Sequence, residues 1–268
     1  TRRRAIRCRP TQGWCPMTTT FRQLLDEFEG AAKTRAAKGR RFEEFCRAFF
    51  KVDPYWAARF DAVWDWMEWP ERPAGMPDTG IDLVAREAGT GDLVAIQCKF
   101  YSPDATLSWG HASTFIALLS RDEFASGLIV STAGSESANL YKNLDLHPKP
   151  VNLIRVEDFE SSPVDWDQFS IERPAQLTLR PPKRLHDYQT AAIADVVDGF
   201  DTGVDRGQLI MACGTGKTFT SLRLAEKMVG VGGTVLFLVP SINLLSQTVK
   251  SWAQNKLGTS TPHNARMH

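Results

Sequence analysis

The sequence predicts an α/β protein in two parts. The first is a mixed sheet flanked by helices. The second is an incomplete lobe built around a glycine-rich loop. Three observations predict this. Residues 39–50 place Phe42, Phe45, Cys46 and Phe49 at helical spacing. Two strand-like runs, residues 80–85 and 93–100, flank a turn-rich stretch and read as a hairpin. Residues 207–218 read as a strand, a glycine turn and a helix start. A length of 268 residues allows about two such domains.

Taken in order, residues 1–16 carry five arginines and no acid. They read as a non-native or disordered leader without a fold; a basic arm for DNA and a targeting peptide are the competing readings. Met17 is a plausible start, with Thr20 capping a helix through Glu29. The helix over 39–50 follows. The aromatic residues Tyr55, Trp56, Trp64, Trp66 and Trp69 read as core packing beside that helix, or as platforms for unpaired bases. Asp61 and Asp65 fall four apart on a possible helix. After the hairpin come an amphipathic helix over 107–119, a strand over 127–132, a helix, and a strand over 151–154. Residues 17–165 form the first domain. Pro174, Pro181 and Pro182 mark residues 166–184 as a semi-rigid linker with a basic end. Residues 185–256 form the partial second lobe, and 257–268 a disordered tail.

Composition narrows the class. Hydrophobic residues at 43% and charged residues at 24% are ordinary for a soluble globular chain. A net charge of +1 gives no global electrostatic pull toward nucleic acid, leaving that task to local patches. No apolar run approaches the ~18 residues of a membrane span. The five cysteines form no Cys-x-x-Cys pair, which argues for reduced thiols and against a zinc site.

The hairpin carries chemistry. Side chains alternate along a strand, so Gln97 and Lys99 share one face and Cys98 takes the other. Asp82 on the partner strand then meets them. An acid, an amide oxygen and a lysine at one spot offer oxygen ligands to a divalent cation and a positive charge beside an attacking water. An edge hairpin with a solvated lysine has the same spacing.

This stretch resembles the PD-(D/E)xK nuclease core, in its Mrr-like restriction endonuclease branch, where Gln stands for the acid of other branches. The resemblance implies a Mg²⁺ site with Asp82 and Gln97 as ligands and Lys99 orienting the hydroxide. It also implies a Glu from the first helix as a further ligand. Glu44, bordering the buried stripe, is favoured over Glu43. Asp78, in a Pro-Asp-Thr-Gly turn, is either a further acid of the site or an Asx-turn residue.

The glycine turn carries a second chemistry. Gly214, Thr215 and Gly216 let backbone N–H groups curl around phosphate at a helix N-terminus. Lys217 would reach the β/γ-phosphates of ATP, and the Thr218 hydroxyl would hold Mg²⁺. Met211 stands where the strict pattern has glycine. The looser form resembles superfamily 2 helicases and restriction-enzyme motors, whose lobe is RecA-like. Arg184-Leu185-His186-Asp187-Tyr188-Gln189 resembles the adenine-reading Q motif, with Gln189 able to donate and accept. Residues 233–241 read as a buried parallel strand, and residues 244–247 resemble motif Ia. Past Trp252 the sequence turns polar, with no acid pair after a buried strand and no second lobe, both of which phosphoryl transfer needs. The expectation is a truncated motor with an incomplete ATPase.

A nuclease followed by such a motor resembles the N-terminal part of single-polypeptide Type ISP restriction-modification enzymes. That implies a Mg²⁺-dependent DNA endonuclease domain joined to the start of an ATP-dependent translocase. It further implies double-stranded DNA as partner, methyltransferase and target-recognition regions on a longer chain, a transient dimer on DNA, and phage defence in a bacterial cytoplasm. The alternatives are a DNA-repair helicase-nuclease and a catalytically inactive DNA-binding module. The last draws on Gln97, since an amide is a weaker Mg²⁺ ligand than a carboxylate.

Overall fold

A computed structural model describes residues 20–31, 34–75, 80–170, 172–203, 205–230 and 233–256. The expected leader 1–16, the tail 257–268 and Asp78 lie outside the described residues.

The first part is a five-stranded sheet between two helical layers. Helices α1 (Phe21–Ala31), α2 (Arg35–Val52) and α3 (Pro54–Arg59) precede β1 (Phe60–Asp65). Strands β2 (Leu83–Glu87) and β3 (Leu93–Lys99) form the expected hairpin, pairing Leu83 with Ile96 and Ala85 with Val94. Then come a short β4 (Thr106–Leu107), α4 (Trp109–Leu119), β5 (Phe124–Ser131), β6 (Ser135–Glu136), α5 (Ala138–Asp145), β7 (Val151–Ile154) and α6 (Val156–Glu160). The sheet order is β1-β2-β3-β5-β7, antiparallel through β3 and parallel from β3 to β7. The switch is at β3, which is buried over Val94–Cys98 because it has neighbours on both edges and helices on both faces.

Alternation sorts the two cores. Leu83, Ala85, Val94, Ile96 and Cys98 face α1, α2 and α3, where Phe21, Phe28, Phe42, Phe45 and Phe49 pack ring against ring. Val84, Ala95 and Ile129 face α4 and α5, with Phe115, Ile116 and Leu140. Trp56, Trp66 and Trp69 are buried, which makes them core residues and not base-stacking platforms. Residues 61–65 are strand, not helix, and Asp61 and Asp65 pair with Arg86 and Arg47.

The stretch expected to be a linker begins inside this fold. Trp166 is 1% exposed, Val164 bridges to Leu179, and the Arg180 N–H donates to Pro163 O. Residues 163–180 therefore fold back on the first core.

The second part supplies α7 (Asp187–Asp201), α8 (Lys217–Val229) and α9 (Ile242–Asn255). The strands expected over 207–213 and 233–241 do not form among the described residues. Val235 and Phe237 are exposed, but less so than Leu236 and Leu238, which are 82% and 81% exposed. The alternation of a strand is present, but no neighbouring strand pairs with it. A parallel strand gains its ladder and its burial only from neighbours on its edges and helices over its faces. No helix among the described residues is long and apolar enough to cross a membrane.

Candidate functional site

The first site lies where β2 and β3 begin to part, at the C-terminal end of β3. Asp82 sits just before β2. Its N–H donates to Ile96 O at 2.9 Å, and its carbonyl accepts from Trp66 N at 2.9 Å. This holds the backbone at both sides, so the carboxylate has a fixed direction. Asp82 Oδ2 accepts from the Cys98 N–H at 2.6 Å. The carboxylate is thereby seated on the strand backbone between Gln97 and Lys99.

Gln97 is 2% exposed. Its Nε2 donates to Gly80 O at 2.9 Å, which fixes the amide's orientation, and its Oε1 is buried with no hydrogen-bond partner. A buried, unpaired carbonyl oxygen is costly and calls for a ligand. Lys99 ends β3 half-buried, and among the described residues its ammonium has no hydrogen-bond or ion-pair partner. The hairpin thus brings Asp82, Gln97 and Lys99 to one end of the sheet.

Helix α2 presents Glu43, not Glu44, to this region. Glu44 is exposed and Glu43 is half-buried. A helix turns about 100° per residue, which sets Glu43 beside Cys46 and Phe50 and swings Glu44 to the far side. The border of the stripe favoured Glu44; a wheel centred on Phe42, Cys46 and Phe49 places Glu43 nearer the buried face. Beneath the site, the Cys46 and Cys98 thiols hydrogen-bond each other. Burial pushes the Cys46 thiol up and the Cys98 thiol well up, and the negative charges of Asp82 and Glu43 add to both effects. The two carboxylates therefore flank the same pair of thiols, one from α2 and one from the hairpin.

No three His, Cys, Asp or Glu side chains converge among the described residues. Asp82 and Gln97 instead bring a carboxylate and an amide oxygen to neighbouring strands. These hard oxygen donors, with the orphaned Gln97 Oε1, fit Mg²⁺ and not a soft metal.

The second site is the glycine turn. Gly214 and Gly216 adopt φ of +76° and +77°, a region that side chains disfavour, and Gly216 caps α8. Lys217 Nζ donates to Ala212 O at 2.9 Å and Met211 O at 3.2 Å, folding over the loop's own carbonyls. Thr215 Oγ1 donates to Ala212 O at 2.7 Å. Gln189 is placed beside the loop with both polar atoms of its amide hydrogen-bonded. Its Oε1 accepts from His186 N at 3.0 Å, its Nε2 donates to Thr215 O at 3.0 Å, and it is 3% exposed. A Cβ on Gly216 would stand 2.7 Å from that Nε2. Gln189 is thus a brace for the loop, which spacing along the chain does not reveal. Thr218 lies at the start of α8, and its carbonyl accepts from Trp252 Nε1 at 3.1 Å.

Comparison with known proteins agrees with this fold. Residues 51–176 match the Mrr-type restriction endonuclease family, and residues 182–266 match the family described as Type III restriction enzyme, res subunit. The chain is a restriction endonuclease domain joined to part of a helicase-type domain. It resembles, over 89% of its length, the ATP-dependent Type ISP restriction-modification enzyme LlaBIII bound to DNA, with 38% identity and a TM-score of 0.74. It spans 15% of that enzyme's length. A protein of unknown function, AF1548, and the DNA modification-dependent restriction endonuclease AspBHI align at 14% identity with TM-scores of 0.35 and 0.33, over 57% and 56% of this chain and 78% and 38% of theirs. None of the curated proteins matches.

Proposed function

We propose that this chain cleaves double-stranded DNA at the Asp82 site and binds ATP at the glycine turn, as the nuclease end of a larger translocating restriction enzyme in a bacterial cytoplasm. Asp82, Gln97 and Glu43 would hold Mg²⁺. The cation, when bound, supplies Lewis-acid polarisation of the phosphodiester and acidifies a water. The protein's part is positional. The Cys98 N–H fixes the Asp82 carboxylate, Gly80 fixes the Gln97 amide, and the Lys99 ammonium, without a partner among the described residues, is available to steady the attacking hydroxide. Asp78 is a further candidate acid. Gly214, Thr215, Gly216, Lys217 and Thr218 would cradle the triphosphate, with Thr218 holding its Mg²⁺.

The observation that carries this reading is the buried, partnerless Gln97 Oε1 beside Asp82. It asks for a cation ligand and leaves an inert scaffold reading without an explanation for the cost. The test is plasmid nicking by the purified protein with and without Mg²⁺. Mg²⁺-dependent nicking lost in Lys99→Ala supports it. Metal-independent nicking overturns the Mg²⁺ site, and no nicking together with DNA binding favours an inactive DNA-binding module.

A further inference from the structure

One buried acid is used by neither site. Asp53 is 0% exposed. It ends α2, its N–H bonding to Phe49 O at 2.9 Å, and it caps α3, its Oδ1 accepting from Tyr55 N at 3.0 Å and Trp56 N at 3.3 Å. Its other oxygen accepts from Ser162 Oγ at 2.6 Å and from Gln254 Nε2 at 3.1 Å. A buried carboxylate is tolerated only when its lone pairs are satisfied. Here one of four donors is not part of the nuclease fold: Gln254 belongs to α9, in the helicase-type part.

The same turn of α9 grips the phosphate loop. Trp252 donates to Thr218 O, and Asn255 O accepts from Arg223 of α8 at 2.8 Å. Lys250, one turn earlier, pairs with Asp158 of α6. A single helix is thus bonded at once to the residue after Lys217 and to the joint between α2 and α3. Helix α2 also carries Glu43.

Lys217 lies on the carbonyls of Met211 and Ala212. To reach a polyphosphate its ammonium must leave them, and Lys217 immediately precedes Thr218, whose carbonyl holds Trp252.

We infer that α9 is an internal docking surface through which nucleotide at the glycine turn acts on the nuclease, tightening the α2–α3 joint through Gln254 and Asp53. This rests on the glycine turn binding ATP. Because linkage is reciprocal, the nuclease joint and the loop must influence each other by the same factor.

The test is hydrogen exchange of the whole chain with and without Mg²⁺-ATP, with ATP binding measured separately on the same samples by equilibrium dialysis. In the wild type, ATP slows exchange over Pro54–Arg59 by about fivefold or more, the low end of ordinary coupling. Gln254→Ala loses that response while still binding ATP. Trp252→Phe keeps the ring beside Phe237 but lacks the N–H donor, and it also loses the response. If the wild type binds ATP and exchange over Pro54–Arg59 does not change, or if both variants respond as the wild type does, the inference is wrong. If dialysis finds no ATP bound to the wild type, the reading of the glycine turn falls, and this inference with it.

Discussion

The Cys98 N–H donates to Asp82 Oδ2 at 2.6 Å, so the acid proposed for the nuclease site is also the acceptor for a backbone donor of the central strand. The proposed catalytic role and a structural one meet in one carboxylate. A backbone N–H in β3, buried by strands on both sides, has few other partners to turn to.

Asp82→Asn and Asp82→Ala therefore part company. Asn keeps an oxygen for Cys98 N and removes the charge. It should fold with nearly wild-type stability and cleave no DNA. Ala leaves the N–H unsatisfied, which costs about 1–3 kcal/mol. Urea unfolding of both variants, alongside nicking assays, checks this. Equal stabilities for the two would show that the hydrogen bond contributes little.

Gln97→Glu tests the amide oxygen. The Nε2 donor to Gly80 O disappears, and an anion is placed where the residue is 2% exposed. Burial penalises that charge unless a cation meets it. In EDTA this variant should unfold at a lower temperature than the wild type. Added Mg²⁺ should raise its melting temperature by more than it raises the wild type's, and cleavage should persist or increase. A variant indifferent to Mg²⁺ would remove Gln97 from the ligand set.

Glu43 and Glu44 are adjacent and face different surroundings. Glu43→Ala should lower cleavage by roughly 10–100-fold, the range seen when a metal site loses a supporting group. Glu44→Ala, on the exposed side of α2, should change activity and stability little, since surface substitutions cost within about 0.5 kcal/mol. Cleavage rates of the two variants at saturating Mg²⁺ decide it. The reverse pattern would restore Glu44.

These outcomes reflect what a sequence carries. The hairpin was legible because its information is local: alternation fixes which of Gln97, Cys98 and Lys99 share a face, and a turn-rich stretch fixes the pairing. The choice between Glu43 and Glu44 was not read correctly from the buried stripe's border, which favoured Glu44; helical angle measured from the stripe's centre separates the two. The strands over 207–213 and 233–241 have the right residues, yet a strand is completed by neighbours that lie elsewhere in a chain. The bond from Gln254 to Asp53 joins residues about 200 positions apart and leaves no local pattern at either end.

Gln189 gives the last prediction. As an adenine reader it would distinguish ATP from GTP, because its amide complements one base edge and not the other. The structure shows the amide spent on His186 N and Thr215 O, with Tyr188 Oη donating to the same carbonyl at 3.2 Å. A brace of this kind holds the phosphate loop and is blind to the base. Gln189→Ala should therefore weaken ATP, GTP and inorganic tripolyphosphate by similar factors, about 5–10-fold for a lost buried hydrogen bond of roughly 1–1.5 kcal/mol. Lys217→Ala should weaken all three further, since it removes the charge itself. Competition binding with the three ligands reads the difference. A loss confined to ATP would return Gln189 to the adenine and leave the phosphate loop to hold its shape through Tyr188 and its own glycines.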